Sequence, residues 1–183
     1  MIRGEDWYAE ELGAVRHVEV TFVDVDLSEA STAGAHFERC VFRNCRFNSS
    51  THVASAFVAC DFTGCNFFDA TLEGCKLTGS TFASCTMRPM KVVGGQWRGV
   101  TMRGANLSRL DLIGLDLREA DLSLSDLSGS VLRAAQLGGA TVRETKLEGA
   151  DLRGATLDGV DLASAVLRRT QLDLPGAVLL TSR

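Results

Sequence analysis

The sequence predicts an all-β solenoid, and three observations lead to this fold class. Large apolar residues recur at every fifth position from Phe22 to Leu172, where 29 of 31 such positions are Leu, Phe, Met, Val or Trp. The position two residues earlier is Ala, Ser, Thr, Cys, Gly or Val in 28 of the 31 pentads, and no insertion breaks the register. A helix repeats its apolar residues every three or four positions and a half-buried strand every two, so a period of five requires a different backbone path.

The chain has to bend once in each pentad. In a straight strand, residues five positions apart lie on opposite faces, so the large apolar residue, called here the central residue, points inward every time only if the backbone turns. Of the 18 glycines, 13 stand two positions after a central residue, where a turn can require a positive φ. Coils stacked on one another then pair their backbone groups. We expect a distortion near Pro89, which has no N–H for this ladder.

The central residues are the predicted core. Phe dominates in the first half of the chain and Leu in the second half. The representative core positions are Phe22, Phe42, Phe62, Phe82, Leu107, Leu112, Leu117, Leu122, Leu127, Leu152, Leu157 and Leu162.

The segment "GADLRGATLDGVDLA" (residues 149–163), together with "ANLSR" and "ADLSL", resembles the A(D/N)LXX unit of the pentapeptide repeat proteins. The resemblance implies a right-handed quadrilateral β-helix with four pentads, or 20 residues, in each coil. The 31 pentads would form about eight coils, a rod of roughly 37 Å at about 4.8 Å per stacked strand.

The two ends depart from the repeat. Glu5 and Glu10 occupy small inward positions, and burying unpaired carboxylates is unfavourable, so we expect residues 1–17 to form an irregular or partly helical cap rather than a coil. The solenoid is then expected to span residues 18–174, and residues 175–183 to form a tail that caps the last coil.

The tail is predicted to be a short helix with Asp173 as its N-cap and Pro175 in its first turn. Its adjacent apolar residues exceed what one side of a short helix can bury. We therefore expect a homodimer formed through the C-terminal ends, with contacts from Leu174, Val178, Leu179 and Leu180.

Composition and motifs exclude several classes of function. The net charge of −4 argues against direct binding of nucleic acid. The longest apolar run near either end is "AVLL" and the first residues lack the order of a signal peptide, so we expect a cytoplasmic protein without membrane insertion. We find no motif of a nucleotide-binding loop, a dinucleotide site, a nucleophile elbow or a metalloprotease, and therefore predict a protein that is not an enzyme and needs no cofactor or metal.

Cysteine and histidine fall on inward positions. All six cysteines, at 40, 45, 60, 65, 75 and 85, occupy the small inward position. Packing explains this placement best, with zinc binding and redox chemistry as the alternatives. Thr32 and His52 are the only polar central residues and lie 20 residues apart. A local hydrogen bond or an outward-turned pentad is a simpler explanation for them than a ligand site.

Charge is organised along the axis. An acidic band, residues 110–130, has a net charge of −4, and a basic band, residues 88–109, has a net charge of +5. The chain resembles a branch of the pentapeptide repeat family that mimics DNA and binds DNA gyrase or topoisomerase IV. That resemblance implies a protein partner that binds carboxylate side chains. The candidate partner-binding residues are Asp111, Asp116, Glu119, Asp121, Asp126 and Asp161.

The same carboxylates have a second interpretation. An Asp just before a central residue can bond local backbone and hold the bend. The near-neutral coil surface also leaves open a general protein-interaction scaffold with an unrelated partner.

Overall fold

A computed structural model describes residues 1–181. These residues form a parallel β-solenoid with one short C-terminal helix, which confirms the predicted fold class. Residues of the strands and bridges pair with residues 20 positions later, as in the column Phe22, Phe42, Phe62 and Phe82, except at one β-bulge described below. This register runs from Ile2 to the bridge between Asp151 and Gln171, and therefore the chain winds about eight coils.

Thirteen short strands lie in the first five coils and form three parallel sheets, with the orders β1-β4-β7-β10-β12, β13-β11-β8-β5-β2 and β3-β6-β9. The strands are β1 (Ile2–Arg3), β2 (Glu11–Gly13), β3 (Arg16–Val18), β4 (Thr21–Val23), β5 (Ser31–Ala33), β6 (His36–Glu38), β7 (Val41–Arg43), β8 (Thr51–Val53), β9 (Ala56–Val58), β10 (Asp61–Thr63), β11 (Ala70–Glu73), β12 (Thr81–Ala83) and β13 (Met90–Val93).

The remaining coils keep the register through single bridges between tight turns. One such series is Gln96, Asp116, Gln136 and Thr156. The pattern ends with a 3-10 helix, Leu162–Ser164, and the helix α1, Leu174–Thr181.

The core is a stack of like side chains. All twelve representative core positions named above are buried, none exposing more than 6% of its surface. The ring centroids of Phe22 and Phe42 are 4.7 Å apart, those of Phe42 and Phe62 are 4.8 Å apart, and in both pairs the planes differ by 5°. This spacing is that of hydrogen-bonded strands, so one column of rings follows the rise of the coils.

The bend predicted in each pentad is a left-handed residue two positions after the central one. It is glycine at 13 of these corners and a non-glycine residue such as Ala59 (φ 52°) at most of the others. The corner N–H donates to the next coil, as from Ala59 to the carbonyl of Thr78 at 2.9 Å. Pro89 lacks this conformation because its ring fixes a negative φ, yet its carbonyl still accepts from the N–H of Asp69 at 2.7 Å.

The expected irregular cap at residues 1–17 is wrong. Strands β1, β2 and β3 pair with β4, β5 and β6 in the general register, with one β-bulge in β2. Glu5 and Glu10 are exposed, because they lie in the first coil and none of the described residues covers its outer side. Their carboxylates therefore stay hydrated, and the unfavourable burial from which an irregular cap was predicted does not occur. Trp7 packs edge-on against Phe22, with centroids 5.9 Å apart.

The last coil is closed by Asp173. Its Oδ1 accepts a hydrogen bond from the N–H of Gly176 at 3.2 Å, which makes it the predicted N-cap of α1. Its Oδ2 accepts from the N–H of Gly154 at 2.7 Å. Most other corner N–H groups donate to the backbone carbonyl 19 residues later, so at Gly154 the side chain of Asp173 takes the place of that residue's own carbonyl. These two backbone hydrogen bonds lower the pKa of Asp173.

The corner conformation generates a paired prediction. Gly74 (φ 60°) has open space where a Cβ would stand, so Gly74→Ala adds only backbone strain and should destabilise the fold by about 1 kcal/mol. Ala59→Gly removes the same strain and should stabilise the fold. The gain should be smaller than about 1 kcal/mol, because glycine loses more chain entropy than alanine on folding. Chemical denaturation followed by far-UV circular dichroism measures both.

Ala56→Gly is the control, because Ala56 lies in β9 and has no positive φ. This substitution should destabilise the protein. If Ala59→Gly and Ala56→Gly destabilise it equally, strain at the corners does not matter.

Candidate partner-binding surface

The four aspartates of the acidic band hold turns, as the structural interpretation predicted. Each Oδ1 accepts the N–H two residues later, with distances of 3.1 Å at Asp111, 3.1 Å at Asp116, 3.0 Å at Asp121 and 2.9 Å at Asp126. Asn66 accepts the N–H of Phe68 in the same way at 2.9 Å, so the amide oxygen serves as well as the carboxylate. The charge itself is therefore not needed for this turn.

Arginines neutralise much of the acidic band. Arg118 forms a two-pronged ion pair with Asp116, with N–O distances of 2.9 and 2.7 Å, and its hydrogen bonds lower the pKa of this nearly buried carboxyl. Arg103 pairs with Asp121 at 3.0 Å and Arg98 with Glu119 at 2.7 Å. Arg98 and Arg103 belong to the basic band. The positive charge of the basic band is therefore partly neutralised by the carboxylates of the acidic band, one coil away.

The six candidate carboxylates do not form one surface. Asp111, Asp116, Asp121 and Asp126 belong to four different bridge series, one on each side of the rod. Asp111 is exposed and has no cation within ion-pair distance among residues 1–181. Asp161 is also exposed. A partner on one side of the rod thus meets only some of them.

One side does align acidic groups. The register places Asp61, Thr81, Thr101, Asp121 and Thr141 in a single column, called here the Asp61 column, and Asp161 follows 20 residues later. No basic residue interrupts these positions. At about 4.8 Å per coil, Asp61 and Asp121 are about 14 Å apart, and Asp121 and Asp161 about 10 Å. Asp61 lies outside the acidic band and was missed as a candidate, although the 20-residue repeat already placed it on this side.

The cysteines act as core side chains, as expected from packing. The thiols of Cys45 and Cys65 approach the carbonyl oxygens of Phe22 and Phe42, at 3.6 and 3.4 Å, and five of the six residues are buried. Within residues 1–181, His, Cys, Asp and Glu form no group of three or more that could hold a metal ion.

His52 belongs to a buried hydrogen-bond network. Its Nδ1 lies 2.7 Å from the hydroxyl of Thr32 and its Nε2 lies 3.0 Å from that of Ser50, which confirms the predicted local hydrogen bond. Ser55 extends the network through Thr32 at 2.7 Å. Burial lowers the pKa of His52 to about 4, so the ring is neutral at pH 7. With 1% of its surface exposed, His52 has no access to a ligand.

The C-terminal helix keeps an apolar surface. Leu174, Val178 and Leu179 are 77%, 49% and 39% exposed, whereas Leu180 packs against the core of its own chain. Leu180 is thus placed differently from the other three residues expected at a dimer contact. In the part of the chain described here, no helix is both long and apolar enough to cross a membrane.

Comparisons with known proteins give a consistent family and fold. A model described as "Pentapeptide repeat region" matches residues 35–112, and one described as "Pentapeptide repeats (8 copies)" matches residues 98–129 and 135–173. Among curated protein sequences, none matches significantly.

Solved structures of QnrB1, described as a plasmid-mediated fluoroquinolone resistance protein, are similar to the whole chain. A trypsin-treated variant aligns with a TM-score of 0.55 and 20% identity, covering 100% of this chain and 95% of that chain. The full-length protein aligns with a TM-score of 0.52 and 18% identity over the same shares. HetL from the cyanobacterium Nostoc, described as a pentapeptide repeat protein involved in heterocyst differentiation regulation, aligns with a TM-score of 0.33 and 20% identity, covering 88% of this chain and 89% of that chain.

Proposed function

Because the chain belongs to the pentapeptide repeat family, we propose that it is a non-enzymatic mimic of duplex DNA. Its partner is DNA gyrase or topoisomerase IV, which it inhibits or protects from quinolone-type or other topoisomerase poisons. This role places the protein in the cytoplasm, with its partner.

The observation that carries this proposal is the full-length alignment with QnrB1. It covers 100% of this chain and 95% of a protein described as a plasmid-mediated fluoroquinolone resistance protein. Identity of 20% supports a common fold, and the shared activity is the proposed step. The geometry is compatible with it, because about eight coils at about 4.8 Å make an unbroken rod of roughly 40 Å.

Mimicry by this chain depends on shape and on a few placed carboxylates. Roughly 40 Å of duplex carries about 24 negative charges, whereas the net charge of the protein is −4. The Asp61 column together with Asp161 is the best candidate contact, because it presents carboxylates and hydroxyls in line along one side. Asp116, Glu119 and, within the column, Asp121 are weaker candidates, since arginines already pair with them. Asp61 and Asp161 are therefore the residues to substitute.

The arginine pairs favour a second candidate function. Arginines of the same chain neutralise much of the acidic band. Such a surface is compatible with a general protein-interaction scaffold that binds an unrelated partner. Capture of another protein, without gyrase or topoisomerase IV, would select this alternative.

We further propose that two copies join through their C-terminal helices. Leu174, Val178 and Leu179 remain exposed after α1 has packed on its own coil, and a two-fold contact between identical helices would cover them. Joining two rods end to end gives a repeat region of roughly 80 Å.

The gyrase proposal predicts inhibition of supercoiling. At low salt, micromolar protein should reduce supercoiling by gyrase, and Asp61→Asn combined with Asp161→Asn should weaken the effect roughly fivefold, since an exposed ion pair contributes about 0.5 kcal/mol. Asparagine keeps the size of each side chain and one oxygen acceptor while it removes the charge. Inhibition should also weaken as salt rises.

The matched control is Asp69→Asn combined with Asp158→Asn, which removes two charges from other sides of the rod and should leave inhibition unchanged. The proposal is contradicted if the unmodified protein neither inhibits gyrase or topoisomerase IV nor protects them from a quinolone.

The dimer proposal predicts the mass in solution. Light scattering should report twice 19.6 kDa, and Leu179→Glu should give the monomer because it places a charge at the covered contact. Val53→Glu is matched in exposure, 38% against 39%, lies on the side of a coil, and should remain dimeric. A monomeric unmodified protein at tens of micromolar rules out the dimer and leaves α1 as a cap.

A further inference from the structure

A groove of about 630 Å³ runs along the side of the rod that contains the Leu107 and Leu127 core positions. Its origin lies in two neighbouring columns of the 20-residue repeat. One column contains Arg88, Ser108, Ser128, Glu148 and Arg168, and the other contains Arg109, Gly129, Gly149 and Arg169. The Ser and Gly residues at mid-length leave a concavity between the arginines at its two ends, and Glu148 also lines it. This concavity is called here the arginine groove.

Arg109 extends along the groove. A Cβ added at Gly129 would lie 3.4 Å from Cγ of Arg109, so the stem of this arginine crosses the corner of the next coil. A larger residue at 129 would have to displace it. The absence of a side chain at Gly129 therefore gives Arg109 its path.

The four arginines of the groove lack ion pairs with residues 1–181, in contrast to Arg98, Arg103 and Arg118 elsewhere on the rod. Nε of Arg88 is buried without any hydrogen-bond partner among the described residues. A buried donor without an acceptor is unfavourable, so the described residues leave part of the hydrogen-bonding capacity of Arg88 unused.

The groove is locally positive on an acidic protein. Four arginines face two carboxylates, Asp126 and Glu148, and Asp126 already accepts the N–H of Ser128 at 2.9 Å. The net charge of the chain is −4, so this local excess does not follow from overall composition. An anion is the ligand that such a site attracts.

We propose that the arginine groove binds a short polyphosphate chain, free or carried by a nucleotide. Guanidinium groups bind phosphate through paired N–H donors, and the groove supplies them from both ends. Arg109 and Arg169 are three coils apart, about 14 Å between backbones, so a ligand with several phosphates suits the site better than a single one. The negative charge of the whole protein opposes a long polyanion such as duplex DNA.

Calorimetric titration of the intact protein tests this site. The probes are inorganic tripolyphosphate, ATP without metal and a 20-base-pair duplex, each at low salt. We expect saturable binding of tripolyphosphate or ATP, weakened at least tenfold by Arg109→Gln combined with Arg169→Gln. Equal affinities indicate recognition of the phosphate chain alone, and tighter binding of ATP indicates a nucleotide.

Arg43→Gln combined with Arg143→Gln is the charge-matched control on another side of the rod, and it should bind as the unmodified protein does. Melting curves establish that all variants are folded. The proposal is overturned by three results: no saturable binding of either small probe at millimolar concentration, equal weakening in both double variants, or a duplex that binds more tightly than both small probes.

Discussion

Hydrogen bonding between successive coils is the interaction on which the rest of this structure depends. Most corner N–H groups donate to the next coil, and this ladder holds only if the coils contain the same number of residues. The left-handed corner and the inward central residue then recur at fixed positions, so residues 20 apart stand in columns. A single inserted residue would place a polar side chain in the Phe or Leu stack, because it shifts the phase of all that follows.

Columns also determine what the surface can do. A repeated residue type becomes a stripe, as in the Asp61 column, and a run of small residues becomes a trough, as in the arginine groove. Opposite charges about one coil apart neutralise each other, as Arg98 and Glu119 do. The surface of the rod is therefore a set of local patterns, and the net charge describes none of them.

The sequence predicted features that depend on backbone phase. These were the buried Phe and Leu columns, the corners and the N-cap at Asp173, since each follows from position within the pentad. It failed at Glu5 and Glu10, where the end of the solenoid exposes positions that are inward elsewhere. It also missed the pairing of Asp116 with Arg118, because the reach of a long side chain depends on its rotamer and not on the repeat.

Competition with DNA on the partner enzyme tests the proposed mimicry most directly. A fluorescently labelled duplex is bound to gyrase, and its anisotropy is followed as the protein is added. The account predicts complete displacement of the duplex, with an apparent affinity that falls as salt rises. A duplex that stays bound while the protein saturates the enzyme would contradict it, because the two would then occupy different surfaces.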